Sequence, residues 1–480
     1  MRYRYDILLK GGTVVDYAAN REEVMDVGVK DGVIVDLARD LTPTMARDVF
    51  DLSGRYVVPG IIDLHTHIST WIGGACGHKM LAMAGVTTAL DMAGPVDGVW
   101  DIARDHGVGL NIAGIEYVRP GHTVRDTDPG TDELQSLMDR CLRQGALGVK
   151  LLGGHYPLTP QATARAIEAA YHTCAYVAFH CGTTAQGSNI DGFLEAVELT
   201  GDYPVHMAHI NSYTRGLKRP CMTETEEAIT ALIQHPRIRA ESYLSPMNGT
   251  SAKCSGGVPE SRQTRTCAAM GGFAETEAGL EEAIICGWAH INMEEGGRVV
   301  LATGEQAVRY WRERGTETTV SFRVNPPEPR IRLAAAKRPG GAFVVDSLAT
   351  DGGGIPRNVI VSMGLALVSL QVLTLREFVQ KTSYNPARIL GLTNKGRIAA
   401  GADADISVLD PERQQAVMTV VNGKVIMYNG YVCGRGSQAI TTAAGAPYVQ
   451  AKGLTPIVVD LAQSGFYQGI CGNDPAMPPY

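Results

Sequence analysis

Val57-Val-Pro-Gly60-Ile-Ile-Asp63-Leu-His65-Thr-His67 is the stretch that decides the reading. An apolar run meets Pro-Gly, resumes as Ile61-Ile62, and ends in a carboxylate and two histidines. Side chains at i and i+2 of a strand share a face, so His65 and His67 project together. Imidazole is the commonest zinc ligand, and two on one face make half a metal site. Taken alone, the pair reads equally well as two hydrogen-bonded structural histidines.

Downstream of Ile61, short apolar runs alternate with helical patterns. Gly85–Leu90, Gly148–Leu152, Tyr176–His180, Pro204–Ile210 and Ile238–Tyr243 read as strands. Helical patterns cover Asp132–Gln144 and Pro160–Cys174. Strand and helix in this rhythm predict parallel βα units, and many in a row predict a barrel. Residues 245–340 break the rhythm with Gly256-Gly257, Pro259 and Pro326-Pro327. They read as an insertion after a barrel strand, and long loops at a barrel mouth often act as lids. The rhythm returns at Ala349-Thr-Asp351 and in the helical Leu375–Leu390.

Both chain ends look different. Val27–Ile34 is a hairpin with Asp31-Gly32 at its turn, and the β texture returns after Gly396, with Asn422-Gly423 as another turn. One small β domain built from residues 1–58 and 396–440 is expected, with the barrel at 59–395 between its halves. The tail, 441–480, shows no clear pattern.

Composition limits the function. The 480 residues are 45% hydrophobic and 19% charged, too apolar for disorder. The formal net charge of −7 argues against nucleic acid as a partner. No stretch of about 18 uninterrupted apolar residues points to a membrane, and no secretory leader opens the sequence. Ten scattered cysteines without a CxxC pair fit a reduced, cytoplasmic protein.

Further polar groups punctuate the strands. Lys150 lies inside the apolar run Gly148–Leu152, where an unpaired ammonium would be costly. It is either salt-bridged or neutral; a neutral amine can take up carbon dioxide, and the resulting carbamate can bridge two metal ions. His180, His209 and Asp351 stand at strand ends, where barrel enzymes collect their catalytic groups. His206 and His209 are three apart and should face opposite sides of a regular strand, with His209 nearer the rim; a bulge would reverse this.

This set, in this order, resembles the amidohydrolase superfamily. The matching pieces are Leu9–Asp16, Val57–His67, Gly85–Thr88, Lys150, His180, His209, Asp351, Asn385–Arg388 and Gly396–Asp405. The resemblance implies a distorted (β/α)8 TIM barrel with a small β-sandwich formed by both chain ends. It implies a binuclear centre, two zinc ions per chain. His65, His67 and Asp351 would hold one metal, His180 and His209 the other, and N-carboxylated Lys150 would bridge them together with a hydroxide. Asp351 would act as general base and then general acid.

Lys150 favours the hydantoinase and dihydroorotase branch, whereas His209–Arg215 and Ser347–Gly353 resemble N-acyl-D-amino-acid deacylases. The expected activity is therefore hydrolysis of a C–N bond in a small cyclic amide, hydantoin-like compound or N-acyl amino acid. Tyr156 or His155, just past the lysine, could bind the carbonyl oxygen, and Arg215 and Arg357 are candidate anchors for a substrate carboxylate. The alternatives are a mononuclear deaminase of an aminopurine or aminopyrimidine and a ligand-poor scaffold paralogue. The resemblance also implies a homo-oligomer, dimer or tetramer.

Overall fold

The computed structural model describes residues 3–70 and 73–469. The two chain ends meet in one nine-stranded sheet. Tyr5–Asp16, Arg21–Lys30, Val33–Ala38, Ala46–Asp51 and Tyr56–Pro59 come from the N-terminal side. Ile406–Asp410, Gln415–Val421, Lys424–Tyr428 and Tyr431–Val432 come from the C-terminal side. The halves join where Tyr56–Pro59 runs antiparallel to Ile406–Asp410, with Val58 opposite Ser407. Ile7, Leu9, Val14, Val57, Ile406 and Met418 are buried together in this unit. The Asp31-Gly32 turn behaves as its sequence predicts. Both residues have positive φ (50° and 83°), which glycine adopts without strain. A Cβ on Gly32 would also meet the Asn422 side chain at 2.3 Å.

Between these halves lies an α/β unit with two six-stranded parallel sheets. One runs Ser347–Ala349, Ile238–Tyr243, Val205–Met207, Tyr176–His180, Gly148–Leu152 and Glu116–Val118. The other runs Gly352–Gly353, Ile61–His67, Val86–Asp91, Val108–Gly114, Gly436–Thr441 and Thr455–Val458. Val86–Asp91 and Tyr176–His180 are buried along almost their whole length, as strands covered on both faces are.

Two features differ from the sequence reading. Val108–Gly114 and Glu116–Val118 were not expected as strands, because Gly109, Gly114 and Glu116 break the apolar run. They are consecutive, separated only by Ile115, and each belongs to a different sheet. The patternless tail holds the strand Thr455–Val458, which pairs in parallel with Gly436–Thr441. Gly436–Thr441, within or beside the span expected for the terminal β domain, pairs in parallel with Val108–Gly114. A buried cluster ties the nine-stranded sheet to this unit: Lys395 Nζ lies 2.7 Å from Asp405, which also accepts from Asn111 at 2.7 Å.

Residues 245–340 fold as an inserted subdomain. Asn248–Ser251, Thr319–Phe322, Ala289–Glu295 and Arg298–Ala302 form an antiparallel sheet. Leu280, Ile284, Ile291, Trp311, Val320 and Phe322 form its own core. Trp311 is fully buried and its indole N–H donates to the Ala252 carbonyl at 3.1 Å. Trp311→Ala removes that core anchor, at a cost of about 3–5 kcal/mol. Limited proteolysis should then cut within 245–340 before the rest of the chain; uniform cleavage throughout would show that the insertion has no stability of its own.

Candidate active site

The polar groups of the strand ends converge on one cavity of about 570 Å³. His65 and His67 leave the same face of Ile61–His67, as the period of a strand requires. Asp351 follows Ser347–Ala349 and turns back through a left-handed backbone, φ 50°. Its Oδ1 lies 2.7 Å from His67 Nε2 and 3.2 Å from His65 Nε2. Ligand atoms of these three residues all fall within 4.8 Å of one another, a group that could hold a metal ion. Lys150 Nζ approaches His65 Nε2 at 2.9 Å.

His180 and His209 stand beside them, ring centroids 4.5 Å apart, with the His209 ring stacked on His65 at 5.1 Å. The ambiguity between His206 and His209 is resolved by the backbone. The strand stops at Met207, and His209 adopts φ 37° and lines the cavity. His206 points elsewhere and bonds the Tyr176 hydroxyl. Two non-glycine residues in left-handed conformations, His209 and Asp351, represent strain of order 1–3 kcal/mol each, of the kind that gathers at functional sites.

The sequence reading missed Glu241. It is fully buried in Ile238–Tyr243, and its Oε1 accepts from His65 Nδ1 at 2.6 Å and from the His209 amide at 2.7 Å. This single oxygen orients the His65 imidazole and holds the His209 backbone. Like Lys150, Glu241 is a charged residue inside an expected strand, but Arg239 and Ser242 keep that strand from reading as an apolar run. Asp63 is similar, buried beneath the site and bonded to the Thr350 amide at 3.1 Å and its hydroxyl at 2.5 Å. Burial pushes its carboxyl up to about 7.

Electrostatics follow from burial. Desolvation holds His65, His180 and His209 well below the usual imidazole range, so they are neutral. The bond to Glu241 assigns the His65 proton to Nδ1, leaving the Nε2 lone pair facing Lys150 Nζ at 2.9 Å and an Asp351 oxygen at 3.2 Å. A cation between Nε2 and that oxygen would satisfy both. His67 Nδ1, His209 Nδ1 and Glu241 Oε2 are also buried without hydrogen-bond partners. The donor set therefore fits a divalent metal. Burial works against charge on Asp351, but Arg357 and the two imidazoles outweigh it and hold its carboxyl well below the ordinary range. Burial lowers the Lys150 ammonium to about 8.

The other expected contacts divide. The His155 ring meets His180 edge-on at 5.2 Å and lines the cavity. Tyr156 lines it too, with the Arg119 guanidinium over its ring at 4.3 Å. Arg357 is engaged by Asp351, Nη2 to Oδ2 at 2.7 Å, and its Nε donates to the Asp351 carbonyl. Arg215 is buried and faces only neutral partners. The insertion supplies much of the remaining wall, including Asn248, Lys253, Arg262 and Arg314.

The sequence model of the amidohydrolase family matches residues 305–435. The chain is related to the amidohydrolases. Allantoinase of Escherichia coli O1:K1 / APEC is 41% identical over 93 residues, 18% of this chain and 20% of that protein. The chain thus matches about a fifth of the length of these relatives. Dihydroorotase of Trichlorobacter lovleyi is 24% identical over 448 residues, 86% of this chain and 91% of that one. Among solved structures, N-acyl-D-glutamate deacylase from Bordetella bronchiseptica, complexed with zinc and a phosphonate inhibitor, superposes with a TM-score of 0.63. That match covers 91% of this chain and 99% of the deacylase at 17% identity, and carries the fold alone. Among the described residues, no helix is long and apolar enough to cross a membrane.

Proposed function

We propose that the chain is a metal-dependent hydrolase of C–N bonds in small amides, either cyclic, hydantoin-like amides or N-acyl amino acids. The observation that carries this reading is the convergence of His65, His67 and Asp351 with Lys150, His180 and His209 on one cavity. His65, His67 and Asp351 would hold one divalent metal, His180 and His209 a second, and N-carboxylated Lys150 would bridge them, with zinc as the metal. Metal held there supplies a Lewis acid for the scissile carbonyl and lowers the pKa of water.

The chain's own groups do the rest. Glu241 keeps the His65 proton on Nδ1, away from the site. Asp351 accepts the proton of the attacking water and passes it to the leaving nitrogen. Arg357, bonded to both the carboxylate and the backbone carbonyl of Asp351, fixes its orientation. Tyr156 or His155, both of which line the cavity, would meet the substrate carbonyl. Residues 245–340 roof the cavity and would act as its lid.

The fold reading that accompanies this is a distorted (β/α)8 barrel with a composite β-sandwich. It is supported by Val108–Gly114 and Glu116–Val118, which carry one sheet into the other, and by Asp63, which bridges Ile61–His67 to Thr350. The nine free thiols among the described cysteines are in keeping with the cytoplasm. A dimeric or tetrameric assembly is part of the same reading, to be measured by light scattering.

Metal content decides the function. Freshly purified protein, expressed with zinc and bicarbonate, should carry about two metals per chain. It should also hydrolyse members of a panel of hydantoins, lactams and N-acyl amino acids. About one metal with ammonia release from aminopurines or aminopyrimidines would point to a deaminase instead. No bound metal and no turnover would leave a scaffold.

A further inference from the structure

We infer that the substrate of this site is an anion, and that Arg215 takes its carboxylate; this rests on the hydrolase reading above. Arg215 is 7% exposed and lines the cavity. Its Nε donates to Asn325 Oδ1 at 2.7 Å, and its Nη2 to Asn248 Oδ1 at 2.8 Å, Ser212 Oγ at 3.1 Å and the Tyr243 hydroxyl at 3.3 Å. All four partners are neutral. No carboxylate among the described residues lies within ion-pair distance, and its Nη1 donates no hydrogen bond to any of them. A buried guanidinium without a counter-charge is costly.

Arg357 supplies the contrast within the same cavity. It stands over the Tyr243 ring at 5.0 Å and is neutralised by Asp351. The two arginines therefore flank one tyrosine, and only Arg215 lacks an anion. A substrate carboxylate at Nη1 would supply it, through the charge-assisted bonds that guanidinium makes to carboxylates.

The cavity as a whole has the matching charge. Seven of its lining side chains are Lys or Arg and four are Asp or Glu, in a chain whose net charge is −7. A cleft of one sign concentrates ligands of the other. The partners of Arg215 add a consequence. Asn248 begins the first strand of the inserted subdomain and Asn325 follows its last strand, Thr319–Phe322, so Arg215 holds both ends of the segment that forms its sheet. An anion seated there contacts the roof's anchorage directly.

The test is calorimetric binding to the metal-loaded full chain, using two acid–amide pairs of matched shape. These are N-acetyl-DL-alanine with N-acetyl-DL-alaninamide, and hydantoin-5-acetic acid with its amide. At least one acid should bind the unaltered protein on the order of tenfold or more tightly than its amide, the effect of one charge-assisted hydrogen bond. Arg215→Met should abolish that preference, and Arg215→Lys should retain part of it. Equal binding of acids and amides, absence of acid binding, or a preference undiminished in Arg215→Met would overturn the assignment. Acid-selective binding without turnover would instead sustain the anion site and remove the hydrolase reading.

Discussion

Asp351→Asn is expected to lower kcat by about 10³-fold or more while leaving substrate affinity within a few-fold. The amide keeps the shape of the carboxylate but cannot accept a proton at the attacking water. Asp351 is suited to this role by position more than by basicity. Arg357 and the imidazoles of His65 and His67 hold its carboxyl well below the usual range. So weak a base can serve only if the water it faces is acidified, which is what a bound metal supplies. The same residue offers Oδ1 to His67, so the variant should also weaken metal binding. The two effects separate in single-turnover measurements on protein reloaded with excess zinc. Lost metal is then restored, and the remaining deficit is the proton-transfer step. Reloaded Asp351→Asn with activity within tenfold of the unaltered protein would move the general base to another residue.

Replacing Lys150 by alanine should reduce bound metal from about two per chain to one or none. Activity should fall by more than the about 10–100-fold typical of losing an outer-shell partner. Lys150 is 2% exposed, and its one hydrogen-bond partner among the described residues is His65 Nε2. No carboxylate lies within ion-pair distance of it among those residues, so the salt-bridge explanation of a buried lysine finds no support. Desolvation brings its ammonium to about 8, so about a tenth of the amine is neutral at pH 7. That neutral amine can attack carbon dioxide, forming an N–C bond and releasing a proton. Deleting the buried four-carbon stem opens a cavity, while removing the amine relieves the cost of burying it, so the two effects on stability oppose each other. A melting temperature near that of the unaltered protein, with metal lost, is the expected pair of results. Unchanged metal content would show that Lys150 neither bridges nor recruits metal.

How much of this was legible in the sequence varies with the physics of each feature. The HxH pair was legible because strand periodicity alone puts His65 and His67 on one face. Lys150 was legible because a charged residue inside an apolar run must have a reason. Glu241 carries the same signal and was passed over, since Arg239, Ser242 and Tyr243 make its strand look less apolar. The strand at Val108–Gly114 was hidden by its glycines and asparagine, which lower local strand propensity; neighbours on both sides of the sheet supply what propensity lacks.

What the sequence determined by itself is therefore local and periodic: the alternation of strands and helices, the turns at Asp31-Gly32 and Asn422-Gly423, and the presence of residue types that could ligate a metal. Tertiary structure alone decided which of them meet. His209 rather than His206 reaches the cavity because the backbone leaves the strand after Met207, an irregularity that no periodicity encodes. Arg357 belongs to Asp351, and Arg215 stands without a counter-charge, because charges pair through space and not along the chain. Gly436–Thr441 finds its partner more than three hundred residues away, at Val108–Gly114. Short-range sterics write the first kind of fact into the sequence; long-range packing and the cost of burying charge write the second only into the fold.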